Sequence, residues 1–143
     1  MSKADLSSKE VTESVGRIER AILKHLKTQA FFEYTRRYDD MTKEFPTEWR
    51  TDGLEKTLEE HQAGRDKMRI ACIRYLNLCS EEIFLARDGL LPEGIWTIWE
   101  PQIRGALRTP LFRSAWRTLR GRYADLQEFV NYVDEAQNET AVN

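Results

Sequence analysis

Apolar residues recur along most of this chain with the period of an α-helix. Val11, Val15, Ile18, Ile22 and Leu26 are separated by four, three, four and four residues, and Glu10, Glu13, Arg17, Glu19, Arg20 and Lys24 fill the rest of the circumference. That pattern predicts an amphipathic helix with Ser7 or Ser8 as its N-cap. The period continues through Ala30, Tyr34 and Tyr38 towards Met41, and Pro46 is the latest possible end. Residues 1–8 are small and polar and are expected to fray.

Residues 44–53 read as a connection, followed by a short helix around Leu54 and Leu58 that stops at Ala63 and Gly64. Asp66 suits the N-cap of the next helix, Lys67 to Arg87. Its apolar positions, among them Met68, Ile70, Ile73, Leu76, Leu78 and Phe84, cover more than one face, which places it centrally in the fold. Gly89 is expected to take the left-handed position of a Schellman stop, with Leu90 making its apolar contact.

Pro92, Pro101 and Pro110 follow at nine-residue intervals. Pro92 and Pro110 suit first helical turns, with Thr109 as N-cap for the second. One kinked helix is expected over 92–108, because Ile95, Trp96, Ile98, Trp99, Ile103 and Leu107 keep a helical period across Pro101. In the last segment Phe112, Trp116, Leu119, Tyr123, Leu126, Val130 and Val133 alternate spacings of four and three, which predicts one unbroken helix. Residues 136–143 are polar and expected to be disordered. No segment alternates with period two and no repeat is evident, so the expected fold is all-α, an antiparallel bundle of four or five helices in a single domain spanning 1–143.

Composition narrows the class. With 143 residues, 41% hydrophobic and 32% charged, the chain can bury a real core and is neither collagen-like nor of low complexity. No stretch approaches the roughly 20 apolar residues of a bilayer span, and no secretory signal is read, so a cytoplasmic location is expected. Cys72 and Cys79, seven residues apart on one helix, would lie about 10 Å apart, beyond disulfide reach. They are expected to be reduced, buried thiols.

Charge changes the picture more. The net charge is only −2, but residues 101–123 hold six arginines (Arg104, Arg108, Arg113, Arg117, Arg120 and Arg122) and no acid, whereas residues 124–143 hold five acids and no base. Guanidinium groups bind carboxylates and phosphates bidentately. The cluster therefore suits an acidic protein surface, a phosphate ligand or nucleic acid, and it also has an internal candidate partner in the acidic tail.

The stretch Arg74-Tyr75-Leu76-Asn77-Leu78, then Glu81-Glu82, Arg87-Asp88-Gly89-Leu90-Leu91, Trp96, Trp99 and Pro110-Leu111-Phe112 leading to Trp116, resembles a family of small bacterial helical proteins of unknown function. In them an Asn-containing helix with acidic residues precedes a Gly-Leu turn and a Trp-rich helix. The resemblance covers residues 74–133 and implies a helical, bacterial protein. It carries no catalytic residue with it. Many members have a membrane-tethering N-terminal helix, which this chain is expected to lack.

Candidate chemistry is sparse. His25 and His61 lack metal-ligand spacing, and Cys72 and Cys79 are too far apart to share a zinc ion, so no metal and no cofactor are expected. There is no nucleophile elbow and no phosphate-cradling glycine loop. Asn77, Glu81 and Glu82 form the most chemical-looking set, the best place for an enzyme site if one exists; packing and surface roles account for them more simply. Trp96 and Trp99, three apart on one helical face, are candidate apolar anchors, with Arg104, Arg108, Arg113, Arg117 and Arg120 as a charged rim, because Trp and Arg are enriched at interfaces. The expected function is thus a regulatory or accessory module that binds another protein or a second copy of itself, without catalysis. Nucleic-acid or phosphate binding through Arg104–Arg122 is the alternative.

Overall fold

The computed structural model describes residues 3–45 and 62–139, which form five α-helices and no strand. They are α1 (Lys3–Thr42), α2 (Gln62–Arg87), α3 (Ile95–Leu107), α4 (Pro110–Leu119) and α5 (Gln127–Asn138), with a 3₁₀ turn at Arg120–Tyr123 between the last two. The expected short helix around Leu54 and Leu58, and Trp49 and His61, lie outside the described residues. No helix among those described is long and apolar enough to cross a membrane.

α1 and α2 run antiparallel. Arg37 pairs with Glu81 and Glu44 with Arg74, so numbers rise on one helix as they fall on the other. α1 begins at Lys3, ahead of the expected serine caps; the hydroxyl of Thr12 donates back to the Ser8 carbonyl within an unbroken helix. Tyr75, Leu76, Cys79 and Ile83 are among the buried side chains that face the core from α2. Ile70 and Phe84, on its other side, keep 58% and 61% of their surface, so α2 is covered over one broad arc and not all round as its composition suggested.

The stop of α2 follows the expected geometry. Gly89 has φ 67°, its N–H donates to the Ala86 carbonyl, and the Leu90 N–H donates to the Leu85 carbonyl, the two bonds of a Schellman motif. α3 starts later than expected: Gly94, at φ 82°, precedes it, and Pro92 sits in the turn, its carbonyl accepting from Ile95. Pro101 lies inside α3, and the carbonyl it leaves without an amide donor is that of exposed Thr97, where water can replace the lost bond. Thr109 caps α4 by accepting from the Phe112 N–H, with Pro110 in the first turn.

The last segment corrects the sequence-based expectation. Residues 110–133 are not one helix: α4 stops at Leu119, the chain tightens into the 3₁₀ turn containing Gly121, and α5 folds back antiparallel to α4. In a straight helix Trp116 and Phe129 would be about 20 Å apart; their ring centroids are 6.0 Å apart. Tyr123 completes that trio, 5.8 Å from Trp116 and 5.3 Å from Phe129. Gly121 makes helix continuation cost more, and the return buries Phe129, Val130, Val133 and Ala136, with α5 packed on α3 and on the 3₁₀ turn. α5 runs to Asn138, past the expected limit at Glu135.

A second aromatic cluster joins the two halves of the fold. Fully buried Phe112 of α4 lies 5.0 Å from Tyr75 of α2 and 6.1 Å from Phe45 at the end of α1. Phe112→Ala should therefore cost about 3–5 kcal/mol, read as a lower urea midpoint at unchanged slope. A cost under about 1 kcal/mol would mean that this cluster does not hold α1, α2 and α4 together.

Candidate functional site

The arginine cluster is largely engaged within the chain. The return of α5 brings the acidic segment onto it: Arg104 and Arg108 both pair with Glu139, and Arg120 with Asp134 at 2.8 Å. The Nε of Arg113 donates to the Arg108 carbonyl. Arg104 also lies over the Tyr132 ring, whose hydroxyl donates to Glu100. Asp134 accepts from Arg120 and from the Trp116 indole, and these bonds hold its carboxyl below the usual range. Arg117 and Arg122 are exposed.

Trp96 and Trp99 are half-buried and packed against the core. Trp99 stacks on Phe31 of α1 with centroids 5.9 Å apart and planes 16° apart, so it ties α3 to α1. Ile98, between them, is exposed.

The Asn77, Glu81 and Glu82 set is split. Asn77 accepts from the Tyr123 hydroxyl at 2.9 Å. Glu81 stays at the surface and accepts from Arg37 at 2.6 Å. Glu82 points inward, with only 6% of its surface exposed, into a cavity of about 240 Å³ between α1, α2 and α3. Tyr34, Thr35, Tyr38, Tyr75 and Trp99 line the same cavity. Burial pushes the Glu82 carboxyl up to about 8; Arg37 opposes this shift and Glu81 adds to it. The Thr35 hydroxyl is buried without a hydrogen-bond partner. This cavity was missed in the sequence, although a signal was there: Glu82 follows Cys79 by three and Tyr75 by seven, so all three share one helical face.

Both cysteines are buried and free. Burial raises the Cys72 thiol to about 12 and lifts that of Cys79 as well, so neither is a reactive thiolate.

The N-terminal part of α1 has little cover from the other described residues. The register of α1 on α2 sets Arg87, the last residue of α2, level with about residue 31. The helix upstream projects past that end, flanked among the described residues by the turn at Pro92 and Glu93 beside Arg20–Thr28. Val11, Val15, Ile18, Ile22 and Leu26 each keep 47–59% of their surface. Comparison of the chain with protein-family models, curated proteins and solved structures gives no match in any of the three.

The buried carboxyl has a measurable consequence. Its folded pKa of about 8 lies above the ordinary 4.5, so the folded state holds a proton that the unfolded state releases between those values. Stability is therefore fully present below about pH 4.5 and lost as pH rises towards 8, by an amount on the order of 5 kcal/mol. Glu82→Gln should flatten that slope in urea titrations from pH 5 to 8.5 and leave the variant the more stable protein at the alkaline end. Identical slopes in both proteins would show that Glu82 is not held protonated.

Proposed function

We propose that this protein is a helical protein-binding module whose main docking surface is the projecting part of α1 and whose first partner is a second copy of the same chain. One observation carries this: five large aliphatic side chains at helical spacing stand half-exposed on a helix that extends beyond its own bundle. A helix in water gains most of its stability from packing an amphipathic face, and among the described residues this face has little of its own chain upon it. Charge selects the second copy and its direction. Residues 5–13 carry Asp5, Glu10 and Glu13 against Lys9, whereas residues 17–27 carry Arg17, Arg20, Lys24 and Lys27 against Glu19. Antiparallel pairing lays the acidic part of each helix on the basic part of the other, while parallel pairing stacks like on like. Centred near Ile18, it sets Val11 opposite Leu26 and Val15 opposite Ile22, aliphatic against aliphatic throughout. The two bundles then sit at opposite ends, clear of each other.

Trp96, Trp99 and the arginines from Arg104 to Arg120 belong to a second surface in this proposal. Their engagement with Phe31, Glu139 and Asp134 makes them a rigid, pre-ordered patch, with Arg117 exposed at its edge. The resemblance to small bacterial helical proteins and a cytoplasmic setting are consistent with an accessory role of this kind.

Sedimentation velocity across a concentration series tests the proposal. The full chain should dimerise, and Ile18→Glu with Ile22→Glu should weaken the dimer about a hundredfold while leaving the melting of the bundle unchanged. Val11→Cys with Leu26→Cys should cross-link two copies on oxidation, because the native thiols are buried and do not compete. A chain monomeric at every concentration would overturn the proposal, and cross-linking of Val11→Cys alone would overturn the antiparallel arrangement.

A further inference from the structure

We propose that the cavity between α1, α2 and α3 binds a small organic ammonium ion, held by the Glu82 carboxylate, the Thr35 hydroxyl and the aromatic faces around them. Four observations converge. The first is the sign of the walls: Glu82 lies inside and Asp39 also lines the cavity, whereas no lysine, arginine or histidine among the described residues does. The Arg37 guanidinium is held on Glu81 and lies over the Tyr34 ring, 5.1 Å from its centre, so one face of that ring already carries a cation. The second is aromatic density. Tyr34, Tyr38, Tyr75 and Trp99 contribute four rings, whose faces attract cations, and the stack on Phe31 fixes the Trp99 plane.

The third observation is Thr35. Thr12 and Thr28, on the same helix, donate to the carbonyls four residues back, those of Ser8 and Lys24. The Thr35 hydroxyl does not, and it is left buried at the cavity wall with no partner. A buried hydroxyl without a hydrogen bond destabilises the fold, and an ammonium N–H donating to it would relieve that cost. The fourth is size: about 240 Å³ holds about eight water-sized groups, enough for an alkylammonium of a few carbons and too little for a nucleotide.

Binding is coupled to a proton. In the empty cavity at neutral pH the Glu82 carboxyl is held protonated by burial. An arriving cation favours the carboxylate, so the carboxyl proton passes to solvent as the ammonium takes its place, and charge balances. The groups that face Glu82 do not mask this. Burial pushes the Tyr34 and Tyr75 hydroxyls and the Cys79 thiol up, so they stay neutral. Tyr38 and Asp39 complete the α1 side, Arg37 and Glu81 neutralise one another, and α3 adds only uncharged side chains to the wall.

Calorimetric titration of the full chain with propylammonium, with propanol as the uncharged comparator, decides the matter. Alkylammonium groups keep their charge to about pH 10, so any pH dependence belongs to the protein. Propylammonium affinity should rise about tenfold per pH unit from 6 and level off near 8. At pH 7 close to one proton should be released per cation, measured in two buffers of different ionisation enthalpy. Propanol should bind at least about tenfold more weakly. Glu82→Gln, which matches the protonated carboxyl in shape, should fold, lose about tenfold in affinity and lose both the pH slope and the proton release. Thr35→Val should weaken binding severalfold at every pH and keep the slope. No saturable binding, equal uptake of propanol, an affinity independent of pH, or an unchanged Glu82→Gln protein would each overturn the proposal.

Discussion

One arc of α2 organises this molecule. At 100° per residue, the directions of Leu78, Tyr75, Cys79, Cys72 and Leu76 fall within about 160°, and each of these side chains keeps no more than 1% of its surface. Burying that arc requires cover from more than one neighbour, and α1, α4 and the aromatic side chains beside them supply it. Between Met68 and Ile83 every residue within the arc goes inside, whatever its chemistry. Glu82 lies between the directions of Tyr75 and Leu78, and so a carboxyl is carried into the core, where desolvation keeps its proton on. Glu81, one residue earlier, points about 100° away and stays in water with Arg37. The difference between a surface ion pair and a neutral buried acid is here a single step around a helix.

The same economy of direction governs the arginines. Six positive charges without an acid among them would repel one another along residues 104–122. The reversal at Arg120–Tyr123 answers this by returning Asp134 and Glu139 to Arg120, Arg104 and Arg108. Exposed pairs of this kind contribute little each. Their value lies in register: with the Trp116 indole on Asp134 and the Gln137 amide on the carbonyls of Leu107 and Phe112, they fix how α5 lies across α3 and α4.

Most of the architecture was legible in the sequence, because helical periodicity, the Thr109-Pro110 start and the Asp88-Gly89-Leu90 stop are local signals that the structure keeps. The break after Leu119 was not legible. The four-and-three alternation runs unchanged from Phe112 to Val133; Gly121 weakens the helix there, and the burial that α5 gains on folding back, Phe129 on Trp116 included, comes from contacts between residues distant in sequence. Periodicity likewise marked the Val11–Leu26 stripe as apolar without saying that it would stay uncovered; that depends on where α2 ends. The cavity lay furthest from view. Tyr34, Thr35 and Tyr38 on one helix and Glu82 on another meet only through tertiary contact, and nothing in either segment announces the other.

Two glycines bracket the corner between α2 and α3, and both hold backbone angles that L-side chains rarely adopt, with open space where a Cβ would stand. The strain a substitution would bring is therefore conformational and not steric, and it would act on the direction in which α3 departs. That direction decides how far Trp99 stands from Phe31, and with it the spacing of the aromatic walls. Gly89 and Gly94 thus behave as a calibration of cavity width, set at a distance from the groups that the width serves.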